Sequence, residues 1–431
     1  MLKWLIILYA FSYAYEGLWI EIFDSDTVFK PYRIIGLVII ALFALKQAGM
    51  GKTRPLRFDR YDGVFVAIIV GGFMLALFWY LIAGTGDLSA AVNDTILLTF
   101  AFVMYIIVKH EVVSPKDIER LLLVYVAGTV TSFLISRAVT TQLIHERTHA
   151  FYLNPNSLAV ACVLGLHCMI ARMLFGRFRS VLVGYAVSGG VSLLLAYVLV
   201  ITASRTPLVA LGVSLLVYVV PLWRSAGRSA GRALALLPML VAAGLIGASV
   251  VMSADQNAAV SRYSMESAQT GSGRFDIWRS AWRVAEDHYF LGVGTAQYRY
   301  YHGSYLELLN KLYSPNLSHN SLGTHSDYMT FITNWGLALS LAYLTMLFSL
   351  FRRLLRAVRH AELGSFAAPV LLATVSCIVV NQTAHNMMYG PAYFMIMALA
   401  TGPYLAEAST RQQTMPARST SASPPLMHAR T

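Results

Sequence analysis

What most limits the fold of this chain is a series of apolar runs, most near the ~20 residues a helix needs to cross a hydrocarbon core. Twelve can be marked, at about 2–20, 34–47, 63–83, 93–108, 119–137, 156–173, 180–202, 206–223, 232–252, 326–351, 367–383 and 391–406. Hydrophobic residues make up 57% of the 431 and charged residues 13%, too little polar side chain for a soluble domain. The expected fold class is therefore all-α: a polytopic membrane protein of about 12 transmembrane helices. Cys162, Cys168 and Cys377 fall inside predicted spans and read as small core residues, with no disulfide framework and no CxxC pair. The first run has only Lys3 ahead of it and is expected to remain as a span, although "SYAYEG" resembles a weak cleavage site.

The net charge of +12 invites comparison with nucleic-acid binders, but its placement points elsewhere. Of 33 Lys and Arg residues, 22 fall on one side of the predicted bundle, in alternate loops such as "KQAGMGKTRPLRFDR" and "RRLLRAVRH". The other side holds 11, six of them in one long loop. By the positive-inside rule both termini are cytoplasmic and the basic excess sets topology; no nucleic-acid partner is expected. Four parts follow: nine helices over 1–252, a large periplasmic loop over 253–325, three helices over 326–408, and a Ser/Pro/Arg-rich tail over 409–431, expected to be disordered. In the loop, "SGRFDIWRSAWRVAEDHYFLGVGTAQYRYY" has helical apolar spacing at Phe275, Trp278 and Trp282, then a Gly-x-Gly turn. It is expected to form a helix on the membrane surface with its tryptophans at headgroup level.

Three outward-facing residues carry the chemistry. Arg205 stands between two apolar runs, where a charge is costly and marks a functional candidate; the bland reading is an interfacial arginine ending a helix. Arg274 opens the loop helix behind the flexible Gly271-Ser272-Gly273. His325 begins the tenth span, with Tyr328 and Met329 on its helical face and Asp327 read as a first-turn acid complementing the helix dipole. Two arginines can grip a phosphate or diphosphate, and a neutral histidine can take a proton from an attacking hydroxyl. His385, with Asn386, also faces outward and reads either as a wall of the acceptor entrance or as a structural pair. Tyr389-Gly390-Pro391 reads as a turn, and the aromatic run 298–313 as sugar-stacking faces or packing. Asp24 and Asp26 offer hard oxygen ligands for Mg²⁺ or Mn²⁺, or are simply acids in an outward loop.

Several of these pieces resemble the O-antigen ligase and polysaccharide polymerase superfamily. "NPNSLA" (154–159, with Asn156) is similar to its Asn-Pro-Asn-type helix start, and "SRTPLVAL" (204–211) to its Ser-Arg segment. "GRFDIWRSAWRVAEDHYFLGVGTAQY" (273–298) resembles its Arg–x₃–Trp helix (Arg274, Trp278) and Gly-x-Gly, and "HSDYMTFITNWG" (325–336) its His-Asn-x-Tyr…Gly signature. Ser326 stands where that signature usually has Asn, and "DHYFLG" lacks a proline often found before the glycine. The dipeptide His319-Asn320 is a rival for the histidine. The resemblance implies a metal-independent, inverting glycan transferase of the bacterial inner membrane, with its site on the periplasmic side and no cofactor. An undecaprenyl-diphosphate-linked glycan would be the donor, Arg205 and Arg274 would hold the diphosphate, and His325 would be the base. The acceptor would be lipid A core (a ligase) or a second lipid-linked glycan (a polymerase). A flippase or other transporter is the rival class; it should show mid-span charges and repeat symmetry, and the sequence shows neither.

Overall fold

In a computed structural model, residues 1–18, 30–49, 55–139, 143–144, 147–152, 154–218, 274–302, 305, 323–359 and 365–404 are described. Among them the chain is helical, apart from one two-residue antiparallel pairing of Leu143–Ile144 with Arg147–Thr148. In chain order the helices are α1 (Leu2–Ser12, continued by a 3₁₀ turn to Tyr15), α2 (Pro31–Ala48), α3 (Arg60–Ala83), α4 (Leu88–Glu111), α5 (Pro115–Val139), α6 (Pro155–Phe175), α7 (Val181–Ile201) and α8 (Arg205–Leu215). After the undescribed segment come α9 (Arg274–Asp287), α10 (Asp327–Thr330), α11 (Gly336–Arg359), α12 (Ala367–Asn381) and α13 (Pro391–Thr401).

Seven helical segments are long and apolar enough to cross a membrane: α2 to α7, and α10–α11 taken together as Asp327–Arg359. Shorter apolar helices lie at Leu2–Tyr15, Arg205–Tyr218, Ala367–Asn381 and Ala392–Thr401. Eleven of the twelve marked runs thus coincide with helices. The ninth, 232–252, and the tail from 409 lie outside the described residues.

Helix starts follow local chemistry. Asp59 caps α3 in a reciprocal box with Asp62, Asp87 caps α4, and Asn154 caps α6 ahead of Pro155 at the first helical position. The sequence of α6 is apolar on every side, and the fold uses it accordingly: it is the most enclosed long helix, against α5, α7, α8 and α12. At one end of the bundle, Lys109 Nζ lies 2.6 Å from Asp62 and 2.9 Å from Asp59, and Tyr105 donates to Asp62 at 2.8 Å. These pairs let the buried charges of α3 and α4 sit at low-dielectric positions without being left alone. Arg353 ties α11 to α13 at the same end through Gly402 O, 2.6 Å away. His325 is at the opposite end of the α10–α11 unit.

One expectation is corrected. The tenth run is not one continuous helix: α10 passes into a π-helical stretch, Phe331–Trp335, and Gly336 breaks the path at φ +75° before α11 begins. The widened turn frees carbonyls, and the Gly-x-Gly loop takes them. Val293 N donates to Thr333 O at 2.8 Å, Gly294 N to Asn334 O at 2.7 Å, and Leu337 N to Phe290 O at 2.9 Å. The loop is also fixed to α3, with Thr295 N on Gly72 O at 2.9 Å and Trp79 Nε1 on Gly292 O at 2.8 Å. Backbone contact this close requires glycine: a Cβ on Gly294 would overlap Ala76 of α3, and one on Gly292 would lie 2.7 Å from the Trp335 carbonyl carbon.

The face that α9 turns to the protein is Ile277, Ser280, Ala281, Val284 and Ala285, packed with Val293, Tyr298 and Tyr301. Phe275 and Trp282 are 48% and 43% exposed, while the Trp278 indole turns into the protein. The smaller side chains are the ones that fit against the loop.

Candidate active site

His325 adopts φ +52°, a left-handed conformation that costs a non-glycine residue energy. Both neighbours hold it there. Trp278 Nε1 donates to Thr324 O at 3.0 Å, and Thr324 Oγ1 lies 2.6 Å from both Ser326 O and Thr330 Oγ1. Ser326 caps α10, its hydroxyl accepting from Met329 N at 3.4 Å and donating to Gln382 O at 3.3 Å. The departure from Asn at this position is therefore conservative, because Ser and Asn are interchangeable helix caps. With Thr324 and Ser326 buried and tied down, the half-buried His325 is the residue of this turn left to act. Replacing Trp278 by Phe should keep the ring and delete one hydrogen bond, costing about 1 kcal/mol. Thermal melting of the detergent-solubilised protein checks this.

Arg274 is the first residue of α9, one helical turn before Trp278. The same indole bond that fixes Thr324 therefore sets where Arg274 stands relative to His325. Arg205 begins α8, and Ser204 before it donates to Asn156 Oδ1 at 2.8 Å. The two asparagines of "NPN" thus divide their work: Asn154 caps α6 and Asn156 locates the start of α8.

These pieces meet electrostatically. Burial, and next the charge of Arg205, lower the pKa of Arg274. Burial, and next Arg274, lower that of His325. Burial, and next His325, lower that of His302. Four side chains, from the starts of α8 and α9, the segment after the Gly-x-Gly loop and the turn before α10, therefore share one locality. The charges shifting them are cationic, an arrangement that favours a bound anion. A neutral imidazole is the form that can accept a proton. Because its surroundings favour that form, His325 should stay unprotonated below the pH of about 6.5 at which a free histidine titrates. Arg274→Gln removes one of the two causes and raises the pKa of His325. The acidic limb of the pH–rate profile, measured on the activity that remains, should move to higher pH.

The other candidates are placed as follows. Tyr328 gives its hydroxyl to Val379 O of α12 at 2.9 Å, so it braces α10. Asp327 is fully buried, and its Oδ2 accepts from Met387 N at 2.9 Å and Met388 N at 3.1 Å, while its own N–H donates to Gln382 O at 2.9 Å. Beyond complementing the helix dipole, it fastens the 382–390 turn, in which His385 is also buried. His319, Asp24 and Asp26 lie outside the described residues. Among the described residues no three His, Cys, Asp or Glu side chains gather as a metal group. His302 was not anticipated. It hides in an aromatic run, and its only sequence signal is Tyr298 one helical turn earlier.

A family model described as O-antigen ligase matches residues 190–344. The match runs from α7 into α11, so Arg205, Arg274, His302 and His325 fall within it and Asn156 does not. No curated protein matches the chain.

Proposed function

We propose that this multi-pass membrane protein, whose residues 190–344 match a family model described as O-antigen ligase, transfers a glycan from an undecaprenyl-diphosphate-linked donor to an acceptor hydroxyl. The observation that carries this reading is the grouping of Arg205, Arg274 and His325, a pair of guanidinium cations and a half-buried imidazole that favours its neutral form. Arg205 and Arg274 bind the diphosphate and neutralise the charge that grows on it as the glycosidic C–O bond breaks. His325 accepts the proton of the acceptor hydroxyl while that oxygen bonds to the anomeric carbon, and returns the proton to water after undecaprenyl diphosphate has left with the bonding electrons. Attack opposite the leaving group inverts the anomeric centre, and the arginines perform the charge stabilisation that a metal ion would supply elsewhere. The acceptor we propose is lipid A core, in line with the ligase description of the matching family, at the periplasmic face of a bacterial inner membrane. The twelve-span layout, with 253–325 as the outward loop, belongs to the same reading.

Purified protein given undecaprenyl-diphosphate oligosaccharide alone, and then with lipid A core, separates the possibilities. Transfer only when lipid A core is present supports the ligase. A ladder of lengthening glycans without it makes the protein a polymerase. No transfer in either mixture, together with movement of the lipid-linked glycan across vesicles, would make it a flippase.

A further inference from the structure

His302 is 1% exposed, and both hydroxyls beside it lie on Nδ1. The Tyr298 hydroxyl donates to Ile277 O at 3.1 Å, and a phenol has one proton to give. Burial raises the pKa of Tyr298, so that proton stays in place. With the phenol proton on Ile277 O, Tyr298 Oη, 2.7 Å from His302 Nδ1, accepts there and Nδ1 donates. Ser280 Oγ stands 3.3 Å from the same nitrogen. In a neutral ring this leaves Nε2 with a lone pair and no proton. Nε2 is buried and has no hydrogen-bond partner among the described residues. A buried acceptor without a donor is unfavourable, and this one lies within electrostatic reach of His325.

We propose that His302 Nε2 accepts a hydrogen bond from a sugar hydroxyl of the bound glycan, making His302 a glycan-binding residue of the site. The inference rests on the transferase reading above. Ligand chemistry selects the hydroxyl: diphosphate oxygens are acceptors and gain nothing from a lone pair, whereas sugar hydroxyls are donors. Burial and the proximity of His325 both disfavour protonation of His302, which keeps it an acceptor near neutral pH. Within the site the arginines serve the phosphates, His325 serves the reacting hydroxyl, and His302 holds a neighbouring hydroxyl that does not react. The glycan can be the acceptor or the first sugar of the donor.

His302→Phe removes the acceptor atom and keeps a ring; His302→Gln keeps a side-chain carbonyl that can accept. Transfer kinetics with acceptor and donor varied in turn should show, for His302→Phe, a KM raised about tenfold, the scale of one lost hydrogen bond. The glycan whose KM rises identifies the source of the hydroxyl. His302→Gln should recover part of the loss, and binding of sugar-free undecaprenyl diphosphate should be the same in all three proteins. Unchanged KM values for both glycans in a His302→Phe protein that melts like wild type would overturn the proposal, as would equal loss of sugar-free undecaprenyl diphosphate. Should His302→Phe not accumulate, singly deoxygenated glycans can be compared on wild type and His302→Gln. One position should weaken wild type most and matter less in the variant, and no such position would overturn the proposal. If wild type transfers nothing, the transferase reading fails first. Binding of the free oligosaccharide to wild type and His302→Phe then still decides the point: weaker binding by the variant supports it, and equal binding ends it.

Discussion

Alanine in place of His325 is expected to lower glycan transfer by about 10²–10⁴-fold, the range that positioned proton transfer contributes, without unfolding the protein. The expectation of a folded variant comes from the surroundings. Thr324 and Ser326, on either side, make the hydrogen bonds that shape the turn, to Trp278, Thr330, Met329 and Gln382. The left-handed backbone at position 325 strains alanine about as much as histidine, so the melting temperature should move little while the rate falls. Donor binding should survive, because the phosphates are assigned to Arg205 and Arg274. Initial rates and donor binding on the same preparation check both parts. A variant that keeps wild-type rates would remove His325 from the chemistry and return attention to His319.

Gly336→Ala should be among the most damaging substitutions outside the charged cluster. At φ +75° any side chain is strained, and a Cβ here would overlap the Leu291 carbonyl and lie 2.7 Å from Phe290 O. Both obstacles are backbone, held by the ladder of 293–294 on 333–334 and by Leu337 N on Phe290 O. The cost should be roughly 2–5 kcal/mol, combining backbone strain with overpacking. The functional loss should be larger than stability alone implies. The contact joins the α9–loop unit carrying Arg274 and His302 to the helix that His325 precedes, and a displacement near 1 Å costs about a hundredfold in rate. Gly212→Ala is the matched control, since nothing lies within 4 Å of its new methyl; it should melt and turn over like wild type. Thermal melting and transfer rates of the pair test this, and a Gly336→Ala protein as stable and active as the control would show that the loop does not need this close approach.

The parts of this molecule that were legible in the sequence are those set by composition and local chemistry. Apolar runs must be buried in lipid or protein, so the helices are where hydropathy puts them. Arg205 stood out because a charge between two apolar runs needs a reason, Arg274 because it opens a helix behind Gly271-Ser272-Gly273, and His325 because a titratable side chain opens an apolar span; their joint role is what we propose. Features created by contact between distant segments were not legible. The π-helical break before Gly336 exists because the Gly-x-Gly loop receives the freed carbonyls, and nothing in "FITNWG" by itself states that. The face that α9 turns to the protein was not legible, because close packing against the loop selects Ile277, Ala281 and Val284 and leaves Phe275 and Trp282 outward. Asp327 looked like an ordinary first-turn acid because its partners, Met387 and Met388, are sixty residues away and offer only backbone. His302 needed Tyr298, Ile277 and Ser280 around it before its free lone pair could be recognised.

In the proposed function, Arg205, Arg274 and His325 form one site that moves a glycan from a lipid diphosphate to a hydroxyl. Its most direct test is mass spectrometry of the products from purified wild type, Arg205→Ala, Arg274→Ala and His325→Ala, each given undecaprenyl-diphosphate oligosaccharide and lipid A core in the presence of a metal chelator. Wild type should yield elongated lipid A core and sugar-free undecaprenyl diphosphate in equal amounts. The two arginine variants should lose donor binding and product together, and His325→Ala should bind the donor and yield almost no product. Full transfer by any of the three variants, or none by chelated wild type that regains it on adding Mg²⁺ or Mn²⁺, would contradict the account.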